Sequence, residues 1–145
     1  MSSEVIAGKA TPRGKYPHFK RAGDYVFVSG ISPRRPDNSF AGGAVDALGN
    51  TRFDVREQTR AVLTNIHDIL ARAGGGLPDV VDLTSFLVDM ADFPAYNEAY
   101  AEFFDYDGPA RTTVAVHQLP HPLIRIEIKC TAYVPQSRSA PHGEG

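Results

Sequence analysis

Apolar and polar residues alternate strictly along Ile124-Arg125-Ile126-Glu127-Ile128-Lys129-Cys130-Thr131. A period of two predicts a β-strand, here from about Ile124 to Val134, with Ile124, Ile126, Ile128 and Cys130 on a core face. A shorter strand is predicted over Thr112–Val116, directly after Pro109-Ala110-Arg111. Pro120 and Pro122 lack the N–H that a ladder needs, so the chain between the two runs must be a loop. If these strands pair, Arg111 and Glu127 share one rim of a sheet.

Upstream, Glu4–Ala7 suits a short edge strand before the turn-prone Thr11-Pro12-Arg13-Gly14. The runs His18–Arg21 and Tyr25–Ser29 flank Ala22-Gly23-Asp24, which predicts a hairpin. Residues 31–52, rich in Gly, Pro, Asp and Asn, show no clear periodicity and read as a long loop. Asp54 then caps a helix, with Glu57 three residues on in a capping-box pattern. Val62, Ile66, Ile69 or Leu70, and Ala73 recur at helical spacing until Gly74–Gly76 ends the helix near residue 73. Val80–Met90 is strand-like. Asp92 is expected to cap a second helix, with Pro94 in its first turn. On that helix Phe93, Tyr96, Tyr100 and Phe103 form an aromatic stripe that reads as core.

The predicted order is β-β-β-loop-α-β-α-β-β, an α+β fold with a mixed sheet and two helices packed on one face. The other sheet face would carry Arg125, Glu127 and Lys129. It faces water or another subunit. Tyr25, Phe27 and Val116 also need cover, which favours a subunit.

Composition narrows the function classes. A chain of 145 residues with 42% hydrophobic and 22% charged residues suits one globular domain, placed at residues 1–135, with a polar tail at 136–145 expected to be disordered. A net charge of −2 offers no basic footprint for nucleic acid. The N-terminus lacks the apolar stretch of a secretory signal, and no run approaches the ~18 apolar residues of a membrane span. A cytoplasmic location with no membrane partner is expected. Cys130, the single cysteine, falls on the core face as a small buried hydrophobe.

The residues alone leave two readings of Arg111 and Glu127. An arginine offers a planar charged fork for a carboxylate, and a nearby glutamate can hold a water or take a proton. Equally, the two could be a surface ion pair worth ~0–1 kcal/mol. His117 and His121 stand four apart, a metal-pair spacing only on a helix, which Pro120 and Pro122 exclude. A proton-shuttle or loop-packing role is left for each.

PARTTVAV, then LP, then IRIEIKCTAYVP, resembles the C-terminal signature of the Rid family of reactive intermediate deaminases (YjgF-like proteins). The likeness extends over about residues 12–135. It includes Tyr16 ahead of Val28-Ser29-Gly30, and Asn97 within YNEAYAEFF. It implies a chorismate-mutase-like α+β fold, a homotrimer, and active sites in clefts between subunits. Carried over by position, Arg111 grips the carboxylate of a small-molecule substrate and Glu127 holds the hydrolytic water. Tyr16, Asn97, Ser29 and Gly30 line or support the cleft. No metal or organic cofactor is implied. Where the family often has Cys, two residues after the Arg, this chain has Thr113.

SPRRPDN, DVREQTRAVLTNIHDIL and RTTVAVHQLPHP further resemble the branch of the family that converts 2-aminomuconate to 4-oxalocrotonate and ammonia in bacterial breakdown of aromatic compounds. A muconate has a second carboxylate, for which Arg34 and Arg35 are the first candidate anchors, with Lys20 and Arg125 behind them. A broad 2-imino acid deaminase and a non-catalytic trimer that binds small carboxylates are the alternatives.

Overall fold

The computed structural model describes residues 1–138. A six-stranded mixed sheet is built from β1 (Ser2–Glu4), β2 (Phe19–Ala22), β3 (Tyr25–Ile31), β6 (Val80–Leu87), β7 (Ala110–Ala115) and β8 (Ile126–Tyr133), in the order β1-β2-β3-β8-β6-β7. Only β6 and β7 run parallel, because α2 (Phe93–Tyr100) makes the crossover that parallel neighbours require. The long helix α1 (Val55–Arg72) lies beside α2 on the same sheet face.

Burial follows the sequence periods. In β8, Ile126, Ile128, Cys130 and Ala132 are buried and meet Val62, Leu63, Ile66 and Ile69 of α1. Fully burying a side chain of this kind contributes ~1.5–3 kcal/mol. Burial pushes the Cys130 thiol up to about 12, so it stays protonated as a core residue. The opposite sheet face has no helix over it, and Tyr25, Phe27 and Tyr133 there are each more than 40% exposed. Among the described residues no helix is long and apolar enough to cross a membrane.

The α1 cap is as predicted in one half. The Asp54 carboxylate accepts from Glu57 N at 3.0 Å, but Asp54 N donates to Gly42 O, so Glu57 makes no return bond and lies 3.8 Å from Arg35. The buried Gln58 of α1 holds the loops at this end of the sheet. It donates to Gly42 O and Leu123 O and accepts from Arg125 N. Gly42 has φ +63°, and a Cβ there would lie 2.5 Å from Asp54 O, so the close approach of loop to helix requires glycine.

Several expectations are corrected. The strands ending the domain do not pair: β6 lies between β7 and β8, because the α2 crossover places β7 outside β6. The first strand is Ser2–Glu4 rather than Glu4–Ala7. Residues 31–52 are not wholly aperiodic, since β4 (Gly43–Val45) and β5 (Thr51–Phe53) form a hairpin closed by Asp46, which accepts from Leu48 N and Asn50 N. Asp92 does not cap α2. Arg125 takes its carboxylate at 2.8 Å, and Asp89 caps the preceding 3-10 turn instead. Arg125 therefore lies outside the open sheet face. Within the expected tail, Gln136 N donates to Asp24 and Arg138 pairs with Asp79, while residues 139–145 lie outside the described residues.

Candidate active site

Glu127 owes its place to the strand period. Ile126 and Ile128 turn into the core, so Glu127 between them turns to the open face. Beside it β3 carries a bulge: Val28 pairs with Cys130 and Ile31 with Ile128, leaving Ser29 and Gly30 against Lys129 alone. Lys129 Nζ bridges the break to Val28 O at 3.3 Å. The bulge brings Gly30 under the Glu127 side chain so closely that a Cβ on residue 30 would stand 2.4 Å from Glu127 Oε1. Glycine is required here by the carboxylate rather than by backbone conformation.

The carboxylate faces a cavity of about 90 Å³ at the sheet end, whose lining includes Tyr16, Gly30, Arg34, His121 and Glu127. Burial raises the Glu127 carboxyl above its ordinary value, which makes it a stronger base than a solvated glutamate. Tyr16 is half-exposed at the rim. His121 stacks on Phe40 with ring centroids 4.4 Å apart, and its Nδ1 accepts from Leu123 N. The loop-packing role is thus filled by His121, whereas His117 is exposed.

The segment carrying Lys9 and Arg13 along the cavity is fixed by His18, which is 5% exposed. Its Nδ1 accepts from Ile6 N at 2.8 Å and its Nε2 lies 2.9 Å from Ala10 O, which sets Nε2 as the protonated nitrogen. Ser29 is one step removed from the cavity, its hydroxyl donating to Pro17 O.

Arg111 belongs to a second constellation. It pairs in register with Leu83, a core-facing residue, so its side chain leaves the sheet on the helix side. There its guanidinium lies 4.7 Å from the Tyr100 ring centroid, 5.1 Å from Tyr96 and 5.8 Å from Phe93. Its Nη1 donates to Asn97 Oδ1 at 3.0 Å. Burial raises the Tyr100 hydroxyl to about 12, so that ring stays neutral beneath the cation. The aromatic stripe read as core is thus core on one side and a π-lined seat for Arg111 on the other. Two residues on, Thr113 buries its Oγ1 with no hydrogen-bond partner among the described residues.

These two constellations do not meet within one chain. Arg111 stands opposite Leu83 and Glu127 opposite Phe86, on strands separated by β6 and on opposite sheet faces. The offset is ~10 Å along the strands and ~10 Å across them. The structure brings Tyr16, Gly30, Arg34 and Glu127 together, and separately Arg111 with Asn97. Arg35 turns away towards Ser39 and Glu57. Lys20 sits opposite Phe27, outside the cavity lining. Sequence reasoning missed Lys9, Arg13 and His18, whose surroundings have no periodicity to reveal them.

Comparison with known proteins places this arrangement among relatives. The family model described as Endoribonuclease L-PSP matches residues 7–134. The 3-aminoacrylate deaminase RutC of Acinetobacter baylyi is 40% identical, over 92% of this chain and 100% of its own length. A RutC family protein of Pyrococcus abyssi is 37% identical, over 92% of this chain and 98% of its own. The crystal structure of a putative endoribonuclease from Thermotoga maritima superposes with a TM-score of 0.78 at 32% identity, covering 92% of this chain and 98% of the other.

Proposed function

Because this chain belongs to the Endoribonuclease L-PSP family, which includes the deaminase RutC, we propose that it is a cofactor-independent deaminase that hydrolyses the imine form of 2-amino-2-enoic acids. The observation that carries the reading is the half-buried Glu127 carboxylate over Gly30, facing a cavity with a cationic rim. Chemistry of this kind needs little machinery. The enamine tautomerises to an imine whose carbon is already electrophilic, so holding the carboxylate, placing a water and moving protons suffice.

In the proposed mechanism Arg111 takes the substrate carboxylate in a bidentate pair while the aromatic seat and Asn97 hold its guanidinium. Glu127 accepts a proton from a water as that water adds to the imine carbon. The proton passes to nitrogen, the C–N bond breaks, and a 2-oxo acid and ammonia leave. Tyr16 covers the site. Since Arg111 and Glu127 of one chain lie on opposite faces, a working pair comes from two copies in a ring, with the open face bearing Tyr25, Phe27 and Tyr133 buried between them. A homotrimer is the assembly we propose, and a bacterial cytoplasm the compartment.

For the substrate we propose 2-aminomuconate, converted to 4-oxalocrotonate during breakdown of aromatic compounds. The support is the likeness of the 32–38 and 111–122 stretches to that branch. RNA is a poor fit, since the net charge is −2 and Arg56, Arg60, Arg72, Arg125 and Arg138 are each paired with a carboxylate.

The test is ammonia release from freshly generated 2-aminomuconate beside 2-iminopropanoate at equal concentration. A strong preference for 2-aminomuconate supports the dedicated enzyme. Preference for the short imine makes the protein a general imine deaminase. Turnover of neither overturns the catalytic reading in favour of carboxylate binding alone.

A further inference from the structure

The Glu127 cavity is lined by three formal cations, Lys9, Arg13 and Arg34, against one acid, Glu127 itself. Lys9 is already neutralised by Asp68 at 2.5 Å. Arg34 is not: its Nη1 donates to Asn38 Oδ1 at 2.6 Å and its Nη2 to Thr11 O, both uncharged acceptors. These two bonds fix the plane of the guanidinium and leave the rest of its N–H fork unspent. Arg13 has no hydrogen bond or ion pair among the described residues. Both guanidinium groups line the same cavity as Glu127, and burial, then repulsion from Arg13, hold the Arg34 pKa below its ordinary value. Several other arginines have carboxylate partners, as in Arg56–Glu98, Arg60–Glu102 and Arg72–Glu4. Arg13 and Arg34, neither with a carboxylate partner among the described residues, thus line one cavity together with Glu127.

We propose that Arg13 and Arg34 form an anion clamp that binds a second, remote carboxylate of the substrate, so that the site selects 2-imino dicarboxylates over 2-imino monocarboxylates. The inference rests on the deaminase reading of the same cavity and extends it to a substrate class. Arg111 takes the carboxylate beside the imine, and the clamp takes the far end. The imine carbon is then held between two anchors, close to Glu127. Arg34 is pre-set by Thr11 O and Asn38, whereas Arg13, with no hydrogen bond or ion pair among the described residues, closes on the bound anion.

Two measurements test this. The first compares kcat/KM for 2-iminoglutarate and 2-iminobutanoate, each generated in situ from its amino acid, in the wild type and in Arg13→Gln. The wild type should favour the dicarboxylate at least ~10-fold, and Arg13→Gln should collapse that ratio, chiefly through KM, as expected on losing a charge-assisted hydrogen bond. Arg13→Gln is the cleaner variant because that side chain makes no hydrogen bond or ion pair among the described residues, whereas Arg34 holds Thr11 O and Asn38. The second is calorimetric binding of the unreactive pair glutarate and butyrate, which needs no turnover. Glutarate should bind more tightly, and its advantage should disappear in Arg13→Gln and Arg34→Gln. Absence of turnover together with an Arg13-dependent glutarate preference would keep the clamp and remove the deaminase. Turnover or binding without a dicarboxylate preference, or with a preference that Arg13→Gln leaves intact, would overturn the clamp.

Discussion

Replacing Gly30 by alanine isolates the contribution of the Glu127 position from that of its chemistry. The added Cβ would lie 2.4 Å from Oε1 and 3.2 Å from the carboxyl carbon. Unbonded carbon atoms settle at about 3.5–4.0 Å, and a carbon–oxygen pair only slightly nearer, so the carboxylate must retreat by roughly 1 Å. Gly30 lies outside the left-handed region, and the obstructing atoms are the far end of a flexible side chain, so the backbone absorbs little of the change. A displacement of about 1 Å from attack geometry costs on the order of 10²-fold in rate. Gly30→Ala should therefore fall about 100-fold in kcat for ammonia release while its Tm stays within a few degrees of the wild type. Adding Glu127→Gln to Gly30→Ala should bring activity no lower than Glu127→Gln alone, because both act on one group. Activity of Gly30→Ala within about threefold of the wild type would refute the claim that Glu127 acts from its observed place over the bulge.

Glu127→Gln should lose ~10²–10⁴-fold in kcat, the usual contribution of a general base. Burial raises the Glu127 pKa, so its part in stability is fully present below the ordinary carboxylate value and is lost as pH rises through the raised one. Thermal denaturation across pH should accordingly show Glu127→Gln at least as stable as the wild type at neutral pH, with the difference closing in acid, and wild-type kcat should fall on the acid side at a pH above the ordinary carboxylate range. Arg111→Lys should stay near the activity of Arg111→Ala, since a point charge replaces neither the bidentate fork nor the stacking on Tyr100 and Tyr96, and circular dichroism should show an unchanged fold. Gln58→Leu leaves Arg125 N and the carbonyls of Gly42 and Leu123 without their partner and should cost ~1–3 kcal/mol in chemical denaturation.

Where short-range pattern decides structure, the sequence was readable. The alternation in β8, the Asp54 cap and the α1 stripe all lie where local periods place them. What failed was set by distant partners. Whether β7 and β8 touch depends on the α2 crossover, and the face that Arg111 uses depends on its register with Leu83 in β6. Asp92 had the right spacing to cap α2, yet Arg125, 33 residues away, competes better for its carboxylate. The β4–β5 hairpin has three-residue strands, too short to show a period of two. For the site, Arg111 and Glu127 were singled out by strand pattern and given their roles by family likeness, and nothing local shows that they occupy opposite faces. Arg13 and His18 were invisible because their roles arise from chain segments that fold around them.

The central claim is that Arg111 of one copy and Glu127 of another complete each site. Arg111→Ala and Glu127→Gln, each inactive alone, should be unfolded together, refolded as mixed assemblies and assayed for ammonia release. At equal mixing, about a quarter of the interfaces would carry an intact Arg111 facing an intact Glu127, so about a quarter of wild-type activity should return. Mixed assemblies that form, verified by native mass spectrometry, yet remain as inactive as their parents would contradict the account.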